Sequence, residues 1–197
     1  MKRKGVWAGI ALIGLLLAVG GVGWYQQQLG TGADGAPVGG PIELPSTRGG
    51  DFSLERLDDD QLAVVFFGYT HCPDVCPMSL AVMRQALAEL EPAQRERIVP
   101  LMVSVDPERD SLERLDEYLA FFGERFIGVT GSPARLEELA ERYGVVWRRV
   151  EAPDSAMDYS IDHSSSLYLV DNEGEIRRRV LYSPSHQGLL VALRETL

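Results

Sequence analysis

The sequence predicts an α/β fold in which helices cover a central β-sheet. Residues 61–68 and 97–105 are continuous apolar runs rich in β-branched side chains, as expected of strands buried on both faces of a sheet. Residues 77–90 place apolar side chains three and four positions apart, which is typical of an amphipathic helix, and Pro92 is expected to end that helix. A length of 197 residues, 45% of them hydrophobic, is enough for one such domain with an appendage.

The other predicted elements follow the same alternation along the chain. Residues 42–44 and 52–54 flank a turn with two glycines and predict a β-hairpin at the start of the domain. A helix is expected after residue 105, because Asp110 or Ser111 can cap it. The remaining predicted elements are, in order, a strand at 126–129, a helix at 132–143 closed by Gly144, a strand at 145–150, a polar loop at 152–160, strands at 165–170 and 176–182, and a helix at 185–197. This order matches a thioredoxin-like domain with an N-terminal β-hairpin and a helical insertion.

Residues 1–25 have the pattern of a membrane anchor. Three cations at positions 2–4 precede an uncharged, apolar stretch whose ends are marked by Trp7 and Trp24. Helical rise separates these tryptophans by roughly 25 Å, close to the thickness of the hydrocarbon core of a bilayer. We therefore predict a single-pass transmembrane helix in the inner membrane, with its N-terminus in the cytoplasm and the globular domain in the periplasm. The alternative, a signal peptide with its cleavage site at residues 18–20, exports the same domain.

Composition separates a linker from the globular domain and excludes one class of partner. Residues 26–40, rich in Gln and Gly, are predicted to be a flexible linker to a globular domain at residues 41–197. The formal net charge is -10, and both lysines, Lys2 and Lys4, lie in the N-terminal cluster. Since phosphate binding requires an excess of Lys and Arg, this acidic chain is not expected to bind nucleic acid.

Both cysteines of the chain, Cys72 and Cys76, lie in one loop between a predicted strand and a predicted helix. A structural disulfide is disfavoured because the chain segment that it would close is very short. The positive end of the helix favours thiolates, so the pair indicates either metal binding or cycling between dithiol and disulfide. Ordinary thioredoxin-like oxidoreductases have two residues between their cysteines. The third residue here, in a turn stiffened by Pro73 and Pro77, spreads the sulfurs and makes it easier for both to bind one metal.

His163 is the candidate for a third metal ligand. In a thioredoxin-like sheet, the loop before the strand at 165–170 faces the cysteine loop, and thioredoxins place a cis-proline there. This chain has no proline between Pro153 and Pro184, and His163 takes the vacant position. Two thiolates and one imidazole suit Cu(I), and they suit Cu(II) when further ligands are added.

The remaining histidines and the nearby aspartates are expected to support the site. His71 adjoins the cysteine pair, but neighbouring residues at the end of a strand point to opposite sides, so we expect a structural role for it. His186 is expected at the protein surface. Asp106 ends the second strand, and it either caps the next helix, the more common role, or orients the cysteine loop. Asp158 or Asp162 could accept the N–H of the ligand imidazole, and the sequence does not choose between them.

Three motifs together resemble the SCO/SenC family. They are Gly68-Tyr69-Thr70-His71-Cys72-Pro73-Asp74-Val75-Cys76-Pro77, Ser104-Val105-Asp106-Pro107-Glu108-Arg109-Asp110 and Asp162-His163-Ser164-Ser165. Members of this family are membrane-anchored copper chaperones that help to assemble the copper centre of cytochrome c oxidase subunit II. The resemblance covers roughly residues 41–197. It implies a thioredoxin-like fold, copper bound by Cys72, Cys76 and His163, and a domain that faces the periplasm or its equivalent.

The function expected from these features is copper delivery, a binding function rather than catalysis. The metal would pass by ligand exchange to cytochrome c oxidase subunit II or another copper acceptor, and other copper chaperones are further candidate partners. The alternative is a thiol–disulfide oxidoreductase in which Cys72 and Cys76 are the redox-active pair that reduces the cysteines of the acceptor. His163 discriminates between the two, because a reductase does not need it. A peroxidase of the peroxiredoxin kind is disfavoured, since Thr70 and Cys72 lack the Thr-x-x-Cys spacing.

Overall fold

The structure, a computed structural model, describes residues 37–151 and 158–197. Within these residues, no helix combines the length and the hydropathy that crossing a membrane requires. The expected anchor at residues 1–25 and residues 26–36 of the expected linker lie outside the described residues. The anchor, the linker and the inner-membrane location therefore stay predictions.

The described residues form nine β-strands, five of which make a central sheet. The strands are β1 (Glu43–Pro45), β2 (Asp51–Ser53), β3 (Leu62–Gly68), β4 (Ile98–Ser104), β5 (Ile127–Val129), β6 (Trp147–Glu151), β7 (Tyr159–His163), β8 (Leu167–Val170) and β9 (Ile176–Val180). The order in the central sheet is β5-β4-β3-β8-β9. β4 is parallel to both β3 and β5, whereas β8 is antiparallel to β3 and β9 is antiparallel to β8. β1 and β2 pair as the predicted N-terminal hairpin.

Five α-helices in the described residues flank this sheet. They are α1 (Val75–Ala88), α2 (Pro92–Glu96), α3 (Leu112–Ala120), α4 (Pro133–Tyr143) and α5 (Gln187–Thr196). The apolar face that predicted α1 lies in the core, because Leu80, Met83 and Leu87 are all buried. β3 is buried along its whole length, as its unbroken apolar sequence predicts. The predicted α/β architecture is therefore confirmed.

Two prolines occupy helix positions that differ from the prediction. α1 begins at Val75, two residues before Pro77, so Cys76 lies in its first turn. Proline is tolerated there because the N–H groups of a first turn have no acceptor within the helix. Pro92 does more than end α1, since it occupies the first turn of α2 for the same reason. Gly144 closes α4 as predicted, in the left-handed conformation with φ of 61°.

The sequence prediction missed β7. This strand pairs antiparallel with β6, and the two form a separate two-stranded sheet in which Trp147 lies opposite His163. The sequence predicts a polar loop at residues 152–160 and no strand between it and β8. Tyr159 and Ile161 are buried and Asp162 is exposed, so a short alternation of apolar and polar residues is present. Its polar positions and its length of five residues made it resemble a loop.

Candidate metal centre

Cys72, Cys76 and His163 come together at the end of β3. The two sulfur atoms and a ring nitrogen of the histidine all lie within 4.8 Å of one another. The Sγ of Cys76 is 3.2 Å from Nε2 of His163, and the backbone N–H of Cys76 donates to the Sγ of Cys72 at 3.4 Å. Neither cysteine is in a disulfide, and Cys72 is half-buried whereas Cys76 is fully buried. These three residues are positioned for metal binding, and their role as ligands stays a prediction.

The two thiols are expected to share a single proton. A hydrogen bond from the Cys76 side chain lowers the pKa of Cys72 to about 3, and hydrogen bonds from two backbone N–H groups act in the same direction. The same hydrogen bond, burial and the adjacent Cys72 charge raise the pKa of Cys76 far above its ordinary value. At neutral pH the pair therefore holds one proton, with the negative charge favoured on Cys72 and the proton on Cys76.

The buried carboxylate of Asp110 holds the start of the cysteine loop by hydrogen bonds. This carboxylate is fully buried and accepts three hydrogen bonds: from the backbone N–H of Thr70 at 3.0 Å, from the Thr70 hydroxyl at 2.7 Å and from the Ser104 hydroxyl at 2.7 Å. Thr70 lies two residues before Cys72, so these bonds fix the start of the loop. Sequence reasoning considered Asp110 only as a helix cap. The signal that it missed was the hydroxyl residues at the ends of β3 and β4, which need a buried acceptor.

Gly68 leaves room for the sulfur of Cys76. A Cβ atom at this position would lie 2.5 Å from a ring carbon of Phe66 and 3.1 Å from the Sγ of Cys76. Any side chain here would push on one of these two neighbours, and both are fully buried. The glycine at the end of β3 therefore allows α1 to bring Cys76 close to the strand.

The imidazole of His163 is held by its own neighbour and by two aromatic rings. Its Nδ1 lies 3.1 Å from the carbonyl oxygen of Ser164, which can only accept a hydrogen bond, so the proton is on Nδ1 and the lone pair on Nε2 faces the sulfurs. Phe66 and Tyr69 pack edge-on against the ring, with centroids 6.0 and 5.9 Å away. This arrangement presents Nε2 as a ligand atom.

The expectation that Asp158 or Asp162 would accept the imidazole N–H is wrong. The Ser164 carbonyl occupies that position. Asp162 instead pairs with Arg148 at 3.3 Å on the exposed face of the hairpin formed by β6 and β7. The physical reason is the direction of β7, in which alternate side chains point to opposite faces. Asp162 and His163 are adjacent on the strand and therefore diverge.

The expected capping role of Asp106 is also wrong. Ser111 caps α3, because its hydroxyl accepts the backbone N–H of Arg114 at 3.2 Å. Asp106 is buried instead, and its carboxylate accepts hydrogen bonds from the phenol of Tyr159 at 2.7 Å and from Arg109 at 2.6 Å. It connects the end of β4 to β7 and not to the cysteine loop or the next helix. The sequence does not indicate this role for Tyr159, because its segment is predicted to be a loop.

His71 and His186 make contacts with residues other than Cys72, Cys76 and His163. His71 faces Thr70 and Asp110, with its Nδ1 3.1 Å from the threonine hydroxyl and 3.8 Å from the carboxylate. His71, Asp106 and Asp110 also bring ligand atoms within 4.8 Å of one another, but both carboxylates already accept hydrogen bonds from protein donors. His186 was expected at the surface and is partly buried, with its Nε2 2.6 Å from a carboxylate oxygen of Glu89.

Comparison with known proteins places these features in a family. Residues 30–197 match the family model described as SCO1/SenC. The SCO2-like protein of Rickettsia conorii is 33% identical over 161 residues, which cover 82% of this chain and 78% of the relative. The mitochondrial SCO1 homolog 1 of Arabidopsis thaliana is 36% identical over 143 residues, which cover 68% of this chain and 42% of that longer protein.

Solved structures of similar proteins have the same fold. The crystal structure of Arabidopsis thaliana ScoI with copper bound has a TM-score of 0.71 and 31% identity, over 81% of this chain and 97% of the other. The structure of Bradyrhizobium japonicum ScoI with copper bound has a TM-score of 0.70 and 30% identity, over 81% of this chain and 99% of the other. The thioredoxin-like prediction is confirmed by these similarities.

Proposed function

This chain belongs to the SCO1/SenC family, and from that membership and the geometry of its metal centre we propose that it binds copper and delivers it to an acceptor protein. The acceptor that we propose is the copper centre of cytochrome c oxidase subunit II, and another copper chaperone is the proposed source of the metal. Residues 1–25 would anchor the chain in the inner membrane and hold the domain in the periplasm, near a membrane-embedded acceptor. The observation that carries the proposal is the convergence of two sulfurs and one imidazole nitrogen within 4.8 Å.

The donor set fits copper in its reduced form. Two thiolates and one imidazole are soft and borderline donors that suit three-coordinate Cu(I), while Cu(II) would need added ligands. The similar ScoI proteins of Arabidopsis thaliana and Bradyrhizobium japonicum hold copper, which supports copper over zinc. Loading requires both cysteines to be reduced, because a disulfide has no thiolate to offer.

Transfer would proceed by ligand exchange at the exposed side of the site. Cys72 is half-buried whereas Cys76 is fully buried, so an incoming acceptor thiolate reaches the metal beside Cys72 first. Cys76 and His163 would then hold the metal until a second acceptor ligand arrives.

Replacing His163 by alanine tests the three-ligand site. We expect the soluble domain to bind about one Cu(I) per chain, and His163→Ala to weaken the affinity more than about 100-fold, because loss of a ligand should exceed the loss caused by an outer partner. Competition with a Cu(I) chelator measures the affinity, and a thiol reagent applied to the unfolded protein should still count two reduced cysteines. His186→Ala removes a histidine that pairs with Glu89 and is the matched control. Unchanged copper affinity in His163→Ala would contradict the proposal.

Copper affinity should increase with pH above neutrality. The raised pKa of Cys76 keeps one proton on the pair in the metal-free protein, and binding of both sulfurs as thiolates releases it. The apparent affinity should therefore rise about tenfold per pH unit between about pH 7 and 9. Chelator competition across this range, corrected for protonation of the chelator, measures the slope. A flat profile would mean that both sulfurs are already deprotonated before metal binds.

A second candidate function is reduction of the acceptor's disulfide, which the asymmetry of the two thiols favours. The half-buried Cys72 thiolate could attack one sulfur of that disulfide, forming a mixed disulfide and releasing an acceptor thiolate. Cys76 would then lose its proton and attack the Cys72 sulfur, which leaves a reduced acceptor and a Cys72–Cys76 disulfide. Because His163 takes no part in this exchange, a reductase would retain its activity in His163→Ala.

A further inference from the structure

The hairpin that carries His163 is separate from the sheet that carries the cysteines. Within the described residues, β6 and β7 form a two-stranded sheet of their own, whereas Cys72 and Cys76 follow β3 of the central sheet. No backbone ladder of a shared sheet fixes the histidine relative to the sulfurs. Residues 164–166 join His163 to β8 of the central sheet, and the side-chain contacts that dock the hairpin onto the domain determine the rest of its position.

An open groove of about 270 Å³ lies beside the hairpin. It is lined by Trp147, Tyr159 and Ile161 of the hairpin, by Leu136 of α4 and by Asp106 after β4. Tyr159 and Ile161 are themselves buried, so both apolar packing and polar contacts hold this face of the hairpin.

Tyr159, at the start of β7, concentrates those polar contacts. Its phenol donates to the carboxylate of Asp106 at 2.7 Å, and its backbone carbonyl accepts from Arg109 at 3.1 Å. Its ring lies between two guanidinium groups, with Arg109 3.5 Å and Arg149 3.7 Å from the centroid. Arg149 continues to Glu108 at 2.9 Å, so both guanidinium groups connect the ring to the loop that follows β4.

The partners of Tyr159 are themselves fixed. Asp106 is only 3% exposed, and Arg109 donates to its carboxylate at 2.6 Å. A hydrogen bond to an ionised, buried acceptor is shorter and stronger than one between neutral groups. Burial and the adjacent Asp106 carboxylate also raise the pKa of Tyr159 to about 12, so the phenol remains a donor at neutral pH.

Contacts along β7 connect Tyr159 to His163. Tyr159, Ile161 and His163 alternate along β7 and lie on the same face of it. The backbone N–H of Ile161 donates to the phenol oxygen of Tyr69 at 3.1 Å, and the Tyr69 ring packs against the imidazole. A displacement of β7 at Tyr159 would therefore shift the imidazole relative to the sulfurs.

We propose that Tyr159 is a positioning residue that fixes the His163-bearing hairpin against the cysteine loop and so determines how tightly the site holds its metal. This inference rests on the proposed function, in which Cys72, Cys76 and His163 bind copper. Tyr159 touches neither the metal nor the sulfurs and acts only through His163.

Two substitutions distinguish the contribution of the Tyr159 hydroxyl group from that of its aromatic ring. Tyr159→Phe keeps the ring between the guanidinium groups and removes only the hydrogen bond to Asp106, whereas Tyr159→Leu removes both. We expect Cu(I) affinity to fall about tenfold in the first variant and about 100-fold in the second, the range seen when outer partners of metal ligands are lost. In the His163→Ala background, neither substitution should change the affinity further, because the histidine through which Tyr159 acts is gone.

Amide hydrogen exchange of the metal-free domain provides a readout that needs no copper. Exchange at Ile161 and His163 should be faster in Tyr159→Phe than in the wild type, while exchange in β3 and β4 stays the same. Tyr143→Phe is the matched control, because it removes another buried phenol hydrogen bond, to the carbonyl of Gly40 at 2.8 Å, outside the hairpin. It should change neither the exchange of β7 nor the copper affinity.

The possible failures are distinguishable. A wild-type domain that does not bind Cu(I) would contradict the proposed function, and the exchange measurement would still decide whether Tyr159 fixes the hairpin. Wild-type exchange in β7 of Tyr159→Phe would overturn the inference. So would an equal loss of copper affinity from Tyr159→Leu with and without His163, since that result would show a general structural role.

Discussion

Replacing Cys76 by alanine is expected to remove copper retention, with a loss of Cu(I) affinity greater than that of any other single substitution. Cys76 is the central donor of the site, because its sulfur lies 3.2 Å from Nε2 of His163 and its backbone N–H donates to the Sγ of Cys72. A single thiolate and an imidazole are a poor site for Cu(I), which prefers soft ligands. We expect a weakening well beyond the roughly 100-fold caused by loss of an outer partner. Chelator competition with the reduced domain measures it.

The same variant should change the chemistry of the remaining thiol. The hydrogen bond from Cys76 is the largest contribution to the lowered pKa of Cys72, so the pKa should rise towards the ordinary value of a thiol. The pH dependence of alkylation of the single cysteine reports this pKa. Ser79→Ala, which also removes one heavy atom from a buried position of α1, is the control for packing. Copper binding as tight as that of the wild type in Cys76→Ala would show that the metal is held elsewhere.

The sequence could predict Cys72, Cys76 and His163 as one site because topology brings distant segments together. A thioredoxin-like order of strands places the loop after β3 and the segment before β8 at the same edge of the sheet, where Leu167 lies opposite Phe66. That argument needs only the order of elements and the identity of three residues. It does not need the exact path of the chain, so it predicts that the three residues converge although His163 ends a strand and not a loop.

What the sequence could not predict is which polar groups support the site. Asp106 and Asp110 are both plausible helix caps by position, and each is instead a buried acceptor for donors that are distant in sequence: Tyr159 for the first and Thr70 for the second. Whether an aspartate caps a helix or accepts long-range hydrogen bonds depends on its burial, which local patterns do not encode. The partner of the His163 ring was missed for a related reason, since a backbone carbonyl has no signature in a sequence.

Asp110→Ala is expected to be among the most destabilising substitutions in the domain, by about 3 kcal/mol, because it leaves buried donors without an acceptor. The hydroxyls of Thr70 and Ser104 can rotate to new partners, but the backbone N–H of Thr70 cannot, and it lies at a residue that is only 6% exposed. Urea unfolding of the reduced, metal-free domain measures the loss. Asp110→Asn keeps one acceptor oxygen at the same place and should lose less.

Asp60, an aspartate on the surface, provides the control for the loss of stability expected in Asp110→Ala. Asp60 pairs with Arg97 at 3.1 Å, but its side chain is 66% exposed, and removal of such a pair costs at most about 1 kcal/mol. Equal unfolding midpoints for Asp60→Ala and Asp110→Ala would show that the three hydrogen bonds to Asp110 do not stabilise the fold. If the difference is as large as expected, the cysteine loop is held by a buried carboxylate. Loosening that loop would separate Cys72 from Cys76 and His163, so Asp110→Ala should also weaken copper binding although Asp110 touches none of the three ligands.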